Sequence, residues 1–204
     1  LSLLAAGPIQ AQTMTENFDG LPCIDNNPYF TLSNQGGLTW SSFLCLKSDT
    51  YTPNPSGYVP GTTSGTHVGF TGIGVATLSR PTGVFSLQSA QITSAWRDDM
   101  TLTIRGFLGA TPVASLTLTP SSTAPTLVDL SAFINVNRVT FERNGGTQHP
   151  GYSASGDNIA IDDLTYVLTP VHAITVAPTP ANGTLSCTPN PVNHGSSATC
   201  TATP

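Results

Sequence analysis

Acidic side chains are few in this chain, 11 in 204 residues, and five of them gather at the two ends of one block. Glu16 and Asp19 stand near its start; Asp157, Asp162 and Asp163 stand near its end. Calcium takes roughly six to eight hard oxygens, from carboxylates and backbone carbonyls. If the two ends of the block are neighbours in space, Glu16, Asp19, Asp162 and Asp163 are the expected ligands of a structural calcium ion tying them together. Consecutive Asp162 and Asp163 face opposite sides of a regular strand, so both reach one ion only through a bulge. The plain alternative is that all of them are solvent-facing strand ends.

A second constellation is Trp96-Arg97-Asp98-Asp99, directly after the longest apolar run. An aromatic ring can stack on the apolar face of a pyranose while a charged neighbour reads the hydroxyls. Two long polar loops, 47–66 and 144–157, carry Tyr58 and Tyr152 among Gly, Ser, Thr and Pro. Loops on a rigid scaffold commonly carry binding. The expected ligand-binding set is therefore Tyr58, Tyr152, Trp96 and Asp98, with both loop tyrosines exposed. Trp40, in a strand pattern, reads first as core, and Trp96 can be read the same way.

Catalysis has little support. There is no Gly-x-Ser-x-Gly elbow. The histidines His67, His149, His172 and His194 are isolated, without His-x-His or His-Glu-x-x-His spacing. A carboxylate pair can hydrolyse a glycoside, but every acid here is equally explained by a cation or by solvent. The expectation is that the chain is not an enzyme; an extracellular hydrolase with its site in the long loops is a remaining alternative. Four cysteines, Cys23, Cys45, Cys187 and Cys200, allow three disulfide pairings. Pairing within each sequence module, Cys23 with Cys45 and Cys187 with Cys200, is favoured. Neither spacing suits zinc.

Only 8% of residues are charged, against about 25% in ordinary proteins. Hydroxyl residues, glycine and proline take their place, which suits the solvent faces of strands in an exported protein. Six scattered basic residues and a net charge of −5 exclude a nucleic-acid partner. Residues 1–11 read as the remnant of a secretion signal, an apolar run ending at Ala11. No run is long enough for a transmembrane helix.

The elements that must position these residues are strands. Met100, Leu102 and Ile104 alternate with Thr101, Thr103 and Arg105; Ala114, Leu116 and Leu118 alternate with Ser115, Thr117 and Thr119. Val139 and Phe141 alternate with Arg138, Thr140 and Glu142. Period two with one apolar face predicts antiparallel strands packed on one side. About ten such segments between 15 and 168, with no helical stripe, predict an all-β jelly-roll sandwich over 12–169. Residues 170–204 form a separate short β module.

Two resemblances add to this reading. The Pro-Ala-Asn-Gly turn at 180–183, Cys-Thr-Pro-Asn-Pro at 187–191 and Val-Asn-His-Gly-Ser at 192–196 resemble the start of a bacterial surface repeat of the internalin B-repeat type. This implies a surface or secreted location and a module cut short. The order Glu16-Asn-Phe-Asp19-Gly-Leu, Gly37-Leu-Thr-Trp40, Ser56-Gly-Tyr58, Ser94-Ala-Trp96-Arg-Asp98-Asp and Asp157-Asn-Ile-Ala-Ile-Asp162-Asp163 resembles secreted galactose-binding-like sandwich domains. That resemblance implies a carbohydrate-binding or adhesive module, often with calcium where the first and last strands meet. The resulting expectation is a non-catalytic module binding glycan or extracellular matrix. A structural stalk without a soluble ligand is its first alternative.

Overall fold

The computed structural model describes residues 11–175 and 183–203. The expected signal remnant, apart from Ala11, lies outside the described residues, as do three residues of the 180–183 turn. The strands in chain order are β1 (Gln12–Glu16), β2 (Phe30–Thr31), β3 (Asn34–Gln35), β4 (Leu38–Ser41), β5 (Phe43–Lys47), β6 (His67–Thr71), β7 (Ala76–Ser79) and β8 (Phe85–Ser94). They continue as β9 (Arg97–Leu108), β10 (Thr111–Leu118), β11 (Thr126–Asp129), β12 (Arg138–Gln148), β13 (Ile159–Leu168), β14 (Val171–His172), β15 (Thr184–Thr188), β16 (Val192–Asn193) and β17 (Thr199–Thr203). A single helical turn, α1 (Tyr58–Gly61), precedes β6. No helix among the described residues is long and apolar enough to cross a membrane.

Two antiparallel sheets form a sandwich. One runs β11-β8-β13-β6-β5-β2, with β1 also paired to β13; the other runs β10-β9-β12-β7-β4-β3. The alternation in β9 is realised: Met100, Leu102 and Ile104 are fully buried while their neighbours reach solvent. Phe43 from one sheet meets Phe141 from the other edge-on, with ring centroids 5.5 Å apart. Burying a side chain of this size contributes about 2 kcal/mol. The first strand lies along the last, Gln12 opposite Leu168 and Glu16 opposite Leu164.

Of two segments that read as single strands, one is divided between the sheets and the other stops short of the crossover. The run 38–44 breaks at Ser42, which has φ +55°, so β4 joins one sheet and β5 the other. The run 84–96 ends at Ser94, and the chain crosses at Ala95-Trp96 into β9. The 144–157 loop is shorter than expected, because β12 continues to Gln148 along β9.

The seven-stranded sheet is apolar on both faces near its centre. Phe43, Cys45, Ile159 and Ile161 face the main core, whereas Leu46, Val68, Phe70 and Ala160 belong to a second cluster. Period two places this second set on the opposite face. The 47–66 loop folds over that face and covers it with Tyr51 and Tyr58.

Disulfides join Cys23 to Cys45 and Cys187 to Cys200. The second spans directly opposed residues of β15 and β17. β14 pairs with β16 as a separate two-stranded sheet.

Candidate functional site

The site grows from the crossover between β8 and β9. Residues 94–96 bond through their backbones to four other segments. Gly57 N–H donates to Ala95 O at 2.8 Å, and Ser94 N–H donates to Ser121 O at 2.8 Å. Ala95 N–H donates to Asn158 O at 2.9 Å, and His149 N–H donates to Trp96 O at 2.8 Å. A Cβ on Gly57 would lie 2.0 Å from Ser94 O, so the approach of that loop requires glycine. Arg97 holds the far loop from the other side, donating to the carbonyls of Gly145, Gly146 and Gly156 at 2.9–3.1 Å.

The four expected ligand residues come together around this crossover. Trp96 meets Tyr58 edge-on at 5.5 Å and Tyr152 at 6.3 Å. Tyr58 corrects the expectation of an exposed loop tyrosine. It is 2% exposed, because α1 turns it inward onto the outer face of the seven-stranded sheet. Burial pushes its phenol well above the ordinary value. Trp96 is buried as well. Both rings therefore form a floor, not a projecting platform. Tyr152 is half-buried, and burial raises its phenol too.

Where the second cluster reaches the surface it opens into a cleft of about 520 Å³. Its walls include Tyr29, Tyr51, Tyr58, Phe70 and Trp96, with Ser155 and Asn158 as side-chain polar groups away from the tyrosine hydroxyls. No charged residue lines it. Ile73, 98% exposed, stands at its lip. A volume of this order suits a small ligand.

On the other side of Tyr152 lies a polar hollow of about 530 Å³, walled by Asp98, Asp99, His149 and the Ser/Thr-rich segment 119–126. His149 Nδ1 stands 2.9 Å from both Asp98 carboxylate oxygens, and Ser122 donates its hydroxyl to Asp98. The Ser122 hydroxyl first, and His149 second, hold the Asp98 carboxyl below the usual carboxylate range. Tyr152 donates its hydroxyl to Ser122 O, and its ring lies 4.3 Å from the His149 ring. Ser, His and Asp are therefore together, but not as a nucleophile relay. Ser122 Oγ is bonded to the carboxylate itself and meets the same imidazole nitrogen, Nδ1, that the carboxylate does. A relay needs the imidazole between them. The arrangement anchors the 119–126 segment to the start of β9.

Sequence reasoning missed His149 and Ser122. Each is unremarkable locally, and Asp98 and His149 are 51 positions apart. The Ser/Thr density of 119–126 was visible but has no chemical spacing of its own.

The acidic ends form a clasp around residues 63–67. Asp162 Oδ2 accepts the N–H groups of Thr63 at 2.7 Å and Ser64 at 3.0 Å, and its Oδ1 accepts that of Asp163 at 2.9 Å. Asp163 has φ +48° at a register break in β13, which turns its carboxylate to the same side. There it accepts the hydroxyls of Thr63 at 2.9 Å and Ser64 at 2.8 Å. Asp19 Oδ1 accepts the N–H groups of Thr66 and His67 at 2.9 and 3.2 Å. Glu16 instead accepts Phe18 N–H at 3.0 Å, and burial raises its carboxyl. Asp157 sits elsewhere, 3.8 Å from the Arg143 guanidinium. Among the described residues, no group of three or more His, Cys, Asp or Glu is placed to hold a metal ion. As placed, these carboxylates form a hydrogen-bonded clasp on residues 63–67.

No protein-family profile matches the chain, and no curated protein resembles it in sequence. Among solved structures, a DUF4465 family protein from Bacteroides caccae superposes with a TM-score of 0.51 at 10% identity, covering 81% of this chain and 91% of that one. A DUF4465 family protein from Bacteroides ovatus gives 0.47 at 7% identity, over 82% and 97%. A family 29 carbohydrate-binding module gives 0.36 at 16%, over 78% and 93%. The last two likenesses are too loose to weigh; the chain shares the β-sandwich fold of the first.

Proposed function

We propose that the sandwich is a non-catalytic glycan-binding module of an exported protein. The aromatic cleft is its site, and the Asp98–His149–Ser122 hollow is a flank that reads hydroxyls. The observation that carries this reading is the cleft itself: aromatic walls, no charged lining residue, and polar groups at Ser155 and Asn158. Such a surface suits a neutral sugar that offers an apolar ring face and a few hydroxyls. The two disulfides suit an oxidising compartment outside the cytoplasm.

The test is a glycan array with the full chain, repeated with Ile73→Asp and Tyr152→Ala. Selective retention of neutral glycans, weakened by both substitutions with Tm unchanged in Ile73→Asp and somewhat lowered in Tyr152→Ala, supports the reading. Silence from a folded sample overturns it and favours a structural stalk.

A further inference from the structure

The turn 72–75, between β6 and β7, is shared by two pockets. Gly72 and Ile73 line the aromatic cleft, together with Asn158. The next residues of the same two segments, Gly74, Val75 and Asp157, line a second pocket of about 340 Å³, with Glu142 and Arg143 of β12. Arg143 alternates with the core residues Val139 and Phe141, so it points into the end of the sandwich. Its side chain is only 3% exposed. Nη2 donates to Gly72 O at 3.1 Å and to Gly74 O at 2.6 Å, on either side of Ile73. Nε and Nη1 are buried and have no acceptor among the described residues. Nε faces Asp157 Oδ2, half exposed on the pocket wall, but their 3.8 Å separation is too long for a hydrogen bond. A buried charged donor left unpaired is costly, so this pocket is short of an acceptor.

The charges here cancel in pairs. Glu142 is taken by Arg105, and Asp157 offsets Arg143. An added anion would meet two carboxylates and an added cation the guanidinium, so a neutral group offering an acceptor and a donor fits best. Val75, 51% exposed, adds an apolar contact. We propose that this pocket takes the acetamido group of an N-acetylated sugar whose ring lies in the aromatic cleft, an inference that rests on the glycan-binding reading. The carbonyl oxygen accepts from Arg143, the amide N–H donates to the Asp157 carboxylate, and the methyl packs on Val75. A vicinal diol would satisfy the two polar groups and leave Val75 without a partner, whereas an acetamido group uses all three.

The test is binding of the full chain to matched pairs of neutral glycans that differ only in a hydroxyl or an acetamido group at C2 of one sugar. The expected result is binding of the N-acetylated member about tenfold tighter or more. Asp157→Ala, at a half-exposed carboxylate, erases most of that preference and leaves binding of the unsubstituted member as it is. Equal binding of the paired glycans by the wild-type chain overturns the acetamido pocket and leaves the cleft standing. A preference that Asp157→Ala does not alter overturns the pocket too. Silence on every glycan from a folded sample overturns both.

Discussion

His149 Nδ1 lies 2.9 Å from each carboxylate oxygen of Asp98, and this contact joins the start of β9 to the loop that follows β12. Ser122 closes the group from a third segment, so one partly exposed carboxylate holds two loops beside the cleft. Asp98→Ala removes the shared acceptor. The expected result is a loss of about 1 kcal/mol of stability, together with weaker retention of whichever glycan the array identifies. Retention equal to wild type would remove this hollow from the site.

Asp162 makes stability depend on pH in an unusual direction. Burial pushes its carboxyl from 3.8 up to about 6, although the N–H groups of Ser64, Thr63 and Asp163 partly offset the shift. The folded chain then binds this proton more tightly than the unfolded chain. Its contribution to stability is present at low pH and falls as pH rises from about 4 to 6. Asp98 and Asp129, both shifted down, act in the opposite sense. Asp162→Asn isolates the effect: the difference in Tm between variant and wild type shifts in the variant's favour across that window. A pH-independent difference would show that Asp162 does not titrate there.

The clasp also predicts the response to metal. With backbone N–H groups already seated on Asp19 and Asp162, neither added calcium nor chelator should move Tm. A rise with calcium that chelator reverses would show a bound ion and a rearranged 63–67 segment.

The Cys23–Cys45 disulfide closes a 22-residue separation onto a fully buried position of β5. Removing it by Cys23→Ser with Cys45→Ala should cost about 3 kcal/mol, chiefly by freeing the unfolded chain. Denaturant unfolding of the double variant against wild type measures this. No loss of stability would mean that the native bond is strained.

Gly57→Ala tests the crossover that supports the cleft. Its Cβ would press on Ser94 O at 2.0 Å and on Ser122 O at 2.9 Å, both backbone atoms. Displacing that loop should cost at least about 1–3 kcal/mol and open the aromatic cluster. A raised near-ultraviolet aromatic mobility with lowered Tm is the expected signature; an unchanged Tm would mean the loop moves freely.

The local pattern by itself determined the strands. In β9 and β12 alternation is enough, because side chains of successive residues must point to opposite faces whatever the strand pairs with. Low charge and hydroxyl-rich composition likewise indicated an all-β chain, and the division into two sequence modules indicated the two pairings found. What only the tertiary structure decided are relations between distant segments. Ser42 divides one apolar run between two sheets, which period two cannot reveal because both halves remain alternating. Tyr58 is buried because the seven-stranded sheet is apolar on its outer face as well, and a loop had to cover it. Asp162 and Asp163 meet the N–H and hydroxyl donors of Thr63 and Ser64, about a hundred positions away, because the 63–67 segment folds onto the end of β13. Asp98 and His149 share no local signal; they meet because the loop bearing His149 bonds to Trp96 O, two residues before Asp98 in β9.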